Sequence, residues 1–215
     1  MNKINYQKEL DNLIDTINKE GRVPSLLLHS CCGPCSSYCI EYLSEFFNIT
    51  VFYYNPNIYP DEEYYIRVKE QQKFIKEFPA KHKVSFIEGD YDKNSFYEIA
   101  RGLENEPERG ARCLKCYDLR LRRTADVAKE KGFDFFTTTL TISPMKDSQV
   151  LNEIGINISN ELGVKWLPSD FKKKNGYKRS TELSKEYDMY RQDYCGCVYS
   201  YRERQMAKSL QNQNS

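Results

Sequence analysis

The sequence predicts an α/β fold: a parallel sheet covered by helices on both faces, with a helical extension toward the C-terminal end. Two observations carry that expectation. Short apolar runs rich in β-branched and aromatic residues alternate with longer segments of helical period. That alternation favours parallel strands joined by crossover helices. No internal repeat or long linker interrupts it, so the 215 residues read as one domain, with about 172–210 as the extension.

Residues 5–19 place Leu10, Leu13, Ile14 and Ile17 at helical spacing. Residues 23–29 (VPSLLLH) form a short apolar run expected to be a buried strand, and cysteines follow at once. Residues 36–47 read as a helix. A second strand spans 49–54 and ends at Asn55-Pro56-Asn57. Residues 62–78 are helical, with Tyr64, Val68, Ile75 and Phe78 on one face, and 84–87 make a third strand. A short helix is expected over 95–103 and turns over 104–112. A long helix follows over 116–131, then a fourth strand over 133–140. Residues 148–162 read as a helix and 164–167 as a fifth strand. The remainder is polar loop and helix, with a disordered tail expected at 211–215.

Composition narrows the class. With 40% apolar and 29% charged residues, the chain is globular rather than disordered. No apolar run is long enough to span a bilayer. Residues 1–20 are polar and do not resemble a secretory signal. The cytoplasm is the expected location, and no membrane partner is expected. In a reducing compartment, clustered cysteines more often bind metal or do redox work than form structural disulfides. The net charge is only +1, so total charge points to no nucleic-acid partner. Two basic patches exist, one at Arg120, Arg122 and Arg123, the other at Lys172, Lys173, Lys174, Lys178 and Arg179. Solvated faces are the plain alternative for both.

The 8 cysteines carry the chemistry. Cys31, Cys32 and Cys35 follow the first strand, the edge where ligands bind in such sheets. Thr137–Thr139, Ser143, Pro144 and Lys146 fall at the same edge. Cys113 and Cys116 run into a helix, and Cys195-Gly196-Cys197 lies near the C-terminal end. A helix N-terminus stabilises thiolate charge. Five sulfurs exceed one tetrahedral zinc and suit an iron–sulfur cluster, alone or beside a second metal. A structural zinc held by Cys32, Cys35, Cys113 and Cys116 stays open, as do unliganded thiols. The Cys195/Cys197 pair suits an electron relay through a strained disulfide, or further ligation. Cys39 reads as core. His29 reads as a satisfied core histidine, with general acid as the alternative, and His82 as a surface residue.

Taken together, LLLHSCCGPCSSY, GARCLKCYDLRLRRTA, GFDFFTTTLTISPMKD and YRQDYCGC resemble the epoxyqueuosine reductase family QueH, in family order over residues 23–204. The resemblance implies a Rossmann-like, nucleotide-binding type of α/β fold related to the ATP pyrophosphatases. Here thiols would fill the phosphate pocket, so ATP use is not expected. It further implies an oxidoreductase that reduces epoxyqueuosine to queuosine in tRNA with an external electron donor, a [4Fe–4S] cluster and an additional iron. By motif, Cys32, Cys113 and Cys116 would bind the cluster, and Cys31 and Cys35 would lean toward the second metal. Some members carry aspartate where this chain has Cys35. Cys35, Asp193 and Tyr117 are the expected catalytic residues, with Tyr194, Lys146 and His29 as further proton donors. Arg120, Arg123, Lys178 and Arg179 are the expected tRNA contacts. A zinc-binding RNA protein and a tRNA sulfur transferase are the rival classes.

Overall fold

The structure, a computed structural model, describes residues 3–213. Five strands form one all-parallel sheet: β1 (Ser25–His29), β2 (Asn48–Tyr53), β3 (Val84–Glu88), β4 (Phe135–Thr138) and β5 (Lys165–Trp166). Eight helices accompany them: α1 (Tyr6–Lys19), α2 (Gly33–Leu43), α3 (Asp61–Glu77), α4 (Lys93–Ala100), α5 (Ala111–Lys131), α6 (Ser148–Leu162), α7 (Gly176–Glu186) and α8 (Val198–Gln213). A 3-10 turn, Thr139–Ile142, follows β4. The Rossmann-like α/β expectation holds.

Side chains that alternate along a strand point to opposite faces. Leu26 and Leu28 pack with Leu10, Ile14, Ile40, Leu43 and Phe74, from α1, α2 and α3. Leu27 and Phe136 pack with Leu121, Ala125, Leu151 and Ile158, from α5 and α6. Both faces are therefore covered, which is why β1 reads as a continuous apolar run.

The strand order is β3-β2-β1-β4-β5. Connections after β1 and β4 therefore leave in opposite directions, which opens a crevice at their carboxyl ends. The cysteine turn follows β1 into that crevice. His29 spans it, with Nδ1 2.8 Å from Thr138 Oγ1 and Nε2 3.1 Å from the Tyr54 carbonyl.

The two helices that carry cysteines near their starts begin earlier than their apolar periodicity suggests. α2 starts at Gly33 rather than residue 36, because Cys32 caps it and Pro34 suits its first turn. α5 starts at Ala111 rather than 116, so Cys113 and Cys116 both lie near its beginning. α8 continues through Gln213, where a tail was expected from residue 211; strong helix formers such as Gln, Lys and Leu explain the continuation. Positions 1, 2, 214 and 215 lie outside the described residues. Among the described residues, no helix is long and apolar enough to cross a membrane.

The C-terminal segment is tied to the sheet domain. α7 lies along α2, and Arg179 grips Glu41 of α2 at 2.6 Å. Gly176 makes the approach possible, because a Cβ there would meet the Tyr38 ring and the Phe171 carbonyl. Gly176→Ala is expected to cost about 1–3 kcal/mol through overpacking. Urea unfolding measures it; an unchanged midpoint would contradict this account of α7.

Candidate metal and redox site

The cysteine turn is fixed by hydrogen bonds before its sulfurs are considered. Ser30 Oγ and Ser36 Oγ both donate to Gln71 Oε1 at 2.7 Å, which joins the turn to α3. Asn55 Nδ2 donates to the Ser30 carbonyl at 2.8 Å. The Cys32 sulfur caps α2 by accepting from Cys35 N at 3.4 Å.

This geometry brings Cys31, Cys32 and Cys35 together, with all three Sγ atoms within 4.8 Å of one another. Cys31 and Cys32 are 3.9 Å apart. Cys32 is fully buried and the other two are half-buried. Thiols this close cannot all ionise. Hydrogen bonds from Cys32 and Cys35 hold the Cys31 thiol well below its usual range. The same interactions push Cys32 and Cys35 upward. The group thus carries one favoured thiolate and two protonated sulfurs, a set that a thiophilic cation would convert to three thiolates.

A second set of sulfurs gathers around the start of α5. Cys113 Sγ accepts from Arg109 N at 3.3 Å. Burial raises the Cys113 thiol and pushes Cys116 up to about 12, and both feel Cys195 and Cys197. Cys197 is buried and its sulfur lies 3.4 Å from Ser200 Oγ at the start of α8. Cys195 turns the other way: Lys146 Nζ lies 3.6 Å from its sulfur. Gly196 between them has φ +128°, a conformation that favours glycine, and a Cβ there would press on Arg67. Cys195 and Cys197 are both free thiols.

Three cations bind these sets into one environment. Arg120 is buried between them; its charge acts on Cys116, Cys195 and Cys31. Burial disfavours the Lys146 ammonium, but Cys195, Tyr117, Cys31 and Cys35 together raise its pKa. Arg67, 1% exposed, faces Cys32 and holds Glu63 at 2.7 Å while reaching the Cys195 carbonyl at 3.5 Å. Tyr190 donates to the other Glu63 oxygen at 2.7 Å, so Glu63 and Arg67 link the 190–195 segment to the cysteine turn.

A cavity of about 370 Å³ opens onto this centre, lined by Cys31, Cys35, Lys146, Tyr177, Tyr194 and Cys195 among others.

Several expected residues lie elsewhere or in another state. Asp193 lines the cavity, but Lys208 and Arg204 hold its carboxyl at about 2, so it has no proton to donate at neutral pH. Tyr117 is buried and its phenol is raised, so it keeps its proton. Burial lowers His29 to about 3, leaving it a neutral core residue. Arg120 is buried and bonded to Asn55 and the Cys116 carbonyl, so its guanidinium is engaged within the protein. Arg179 is clamped on Glu41 by bonds of 2.6–3.1 Å and is likewise committed. Arg123 lies 3.6 Å from Asp90, and Lys178, at 78% side-chain exposure, is 4.0 Å from Glu182. Cys39 is buried in the core with its sulfur on the Cys35 carbonyl. Sequence reading missed Arg67 and Gln71. Their spacing with Tyr64, Val68 and Ile75 does put them on the apolar face of α3, and a polar residue on such a face is the signal that was available.

Known proteins are similar to this chain in sequence. The family model described as Epoxyqueuosine reductase QueH matches residues 26–203. A protein of that name from Streptococcus pyogenes serotype M1 is 50% identical over 92% of this chain and 78% of its own length. Its namesake from Staphylococcus epidermidis is 44% identical over 92% of this chain and 85% of its own length. The one from Thermotoga maritima is 34% identical over 84% of this chain and 92% of its own length.

Removing Arg67 leaves the buried Glu63 carboxylate without its cation. Arg67→Met is therefore expected to lower unfolding free energy by about 3–5 kcal/mol. Denaturant titration measures the change, and a loss near zero would show that the pair does not anchor the site.

Proposed function

The chain belongs to the epoxyqueuosine reductase QueH family, and from that premise we propose that it reduces epoxyqueuosine in tRNA to queuosine. The observation that carries the reading is the Cys31/Cys32/Cys35 group, three sulfurs within 4.8 Å at the crevice of a Rossmann-like sheet. The relatives' shared name favours a reductase over a zinc-binding RNA protein or a sulfur transferase.

The donor set fits a sulfur-bound metal. All its atoms are soft, which suits iron–sulfur or zinc centres and not the hard cations. Buried Arg67 and Arg120, with half-buried Lys146, offset the negative charge that thiolate ligation creates. Cys32, Cys113 and Cys116 would hold a [4Fe–4S] cluster, with Cys31 and Cys35 toward a further iron. The division of the sulfurs into two sets supports two adjacent centres, although Cys32 gathers with Cys31 and Cys35 rather than with Cys113 and Cys116. When bound, such centres supply electrons singly and a Lewis-acidic iron.

The protein's own groups do the rest. The cavity admits the modified base, extruded from the anticodon stack, and Tyr177 and Tyr194 offer ring faces to it. Lys146 is the ammonium at the cavity wall and replaces Asp193 as the candidate to protonate the departing oxygen; Tyr117 keeps its proton close to Lys146 but lines the neighbouring cavity rather than this one. Both epoxide C–O bonds break, an alkene forms, and the oxygen leaves as water after taking up two electrons and two protons. Cys195 and Cys197 can release two electrons and two protons by closing a disulfide, which an external donor then reopens. The whole chain acts as one domain, with about 172–210 delivering this thiol pair, in a reducing cytoplasm.

Anaerobically purified protein, loaded with iron and sulfide, is expected to convert epoxyqueuosine in isolated tRNA to queuosine when given a reductant, as read by mass analysis of nucleosides. Cys32→Ala and Cys113→Ala should abolish conversion and lower bound iron. Cys39→Ala should keep both. Cys195→Ser should keep iron and lose turnover. A loaded wild-type protein that leaves the epoxide intact would sink the proposal.

A further inference from the structure

A second cavity lies against the reaction cavity, and the two share Met145 and Lys146 as a common wall. It is the larger, about 900 Å³ against about 370 Å³. Beyond Lys146, the cations Lys3, Arg109, Lys172 and Lys173 line it. Its two carboxylates are already committed. Asp147 caps α6 by accepting from Gln149 N at 2.8 Å, and Asp170 holds Lys172 at 2.6 Å. Arg109 and Lys173 make no ion pair among the described residues. The result is a concave surface with surplus positive charge beside the reaction site.

We propose that this cavity is a phosphate-binding subsite for the RNA strand that flanks the reacting nucleotide. This rests on reading the smaller cavity as the pocket for the reacting base. A base that enters a buried pocket leaves its sugar and phosphate at the rim, and the neighbouring phosphates must lie within a nucleotide or two of it. The shared Met145–Lys146 wall is such a rim. Ammonium and guanidinium groups bind phosphate without reading sequence. Tyr117 and Leu114, also on the lining, offer an apolar surface to a neighbouring base. The subsite therefore takes single-stranded loop RNA by its backbone, and the loop's sequence enters only through the base in the smaller cavity. It also moves the RNA contact away from Arg120 and Arg179, which are bound within the protein.

The test is binding of an unmodified tRNA anticodon stem–loop, which involves no chemistry, by fluorescence anisotropy across a salt series. Each lost phosphate contact makes the plot of log affinity against log salt shallower by about 0.7 for single strands. Arg109→Ala/Lys173→Ala, which removes the two unpaired cations, should thus flatten the slope by about 1.4 in all. Lys173→Ala alone breaks no ion pair, so it guards against misfolding of the double variant; it should flatten the slope by about half as much. Lys129→Ala/Lys131→Ala, in the last turn of α5 at the opposite edge of the sheet, should leave the slope unchanged. An unchanged slope in both cavity variants overturns the subsite, as does equal flattening in the Lys129/Lys131 control. If the slope responds as expected while loaded protein fails to reduce epoxyqueuosine, the reductase reading fails and the RNA subsite stands.

Discussion

Everything at this site depends on crowding sulfurs together where they cannot all be thiolates without a compensating charge. Cys31, Cys32 and Cys35 are drawn within 4.8 Å by a turn that the sheet and α3 hold from both sides. Arg67, Arg120 and Lys146 stand around them, buried or half-buried. Burying three cations is unfavourable unless negative charge meets them. Glu63 answers for one. The sulfurs are the groups left to answer for Arg120 and Lys146. These three sulfurs are a group that could hold a metal ion, and ligation would turn them into the thiolates that those cations call for.

The fold serves this constraint by fastening distant parts of the chain to one crevice. The strand order sends the connections after β1 and β4 apart, and His29 bridges the gap to Thr138 as a neutral residue. The segment carrying Cys195 is pinned to the loop after β2: Tyr59 N donates to the Gly196 carbonyl at 2.8 Å, and Tyr194 OH to the Tyr59 carbonyl. Glu63 and Arg67 add a second link to the same segment. Cys195 therefore faces the cavity, while Cys197 caps α8. The two thiols of the pair therefore meet different surroundings, one half-buried at the cavity and one buried at the start of α8.

Much of this was legible in the sequence. Strand–helix alternation and the cysteines after the first strand placed the site at the carboxyl edge of a parallel sheet, and the motifs pointed to the family. Charge read without helical phase did not foretell where several of these side chains lie. Arg120 looked like part of a basic surface patch, yet it follows Cys116 by one turn and precedes Thr124 by another, both buried on the inner face of α5. Arg179 looked free because its partner, Glu41, is 138 residues away. Asp193 looked like an acid because Arg204 and Lys208 pair with it only once α8 forms. Contacts of this kind are set by tertiary packing, which a single sequence does not display.

X-ray absorption at the iron edge of anaerobically purified protein, supplied with iron and sulfide, tests the central claim most directly. The account predicts iron surrounded by sulfur, with a second iron close by. Iron held only by oxygen and nitrogen, or zinc in its place on the same cysteines, would contradict it.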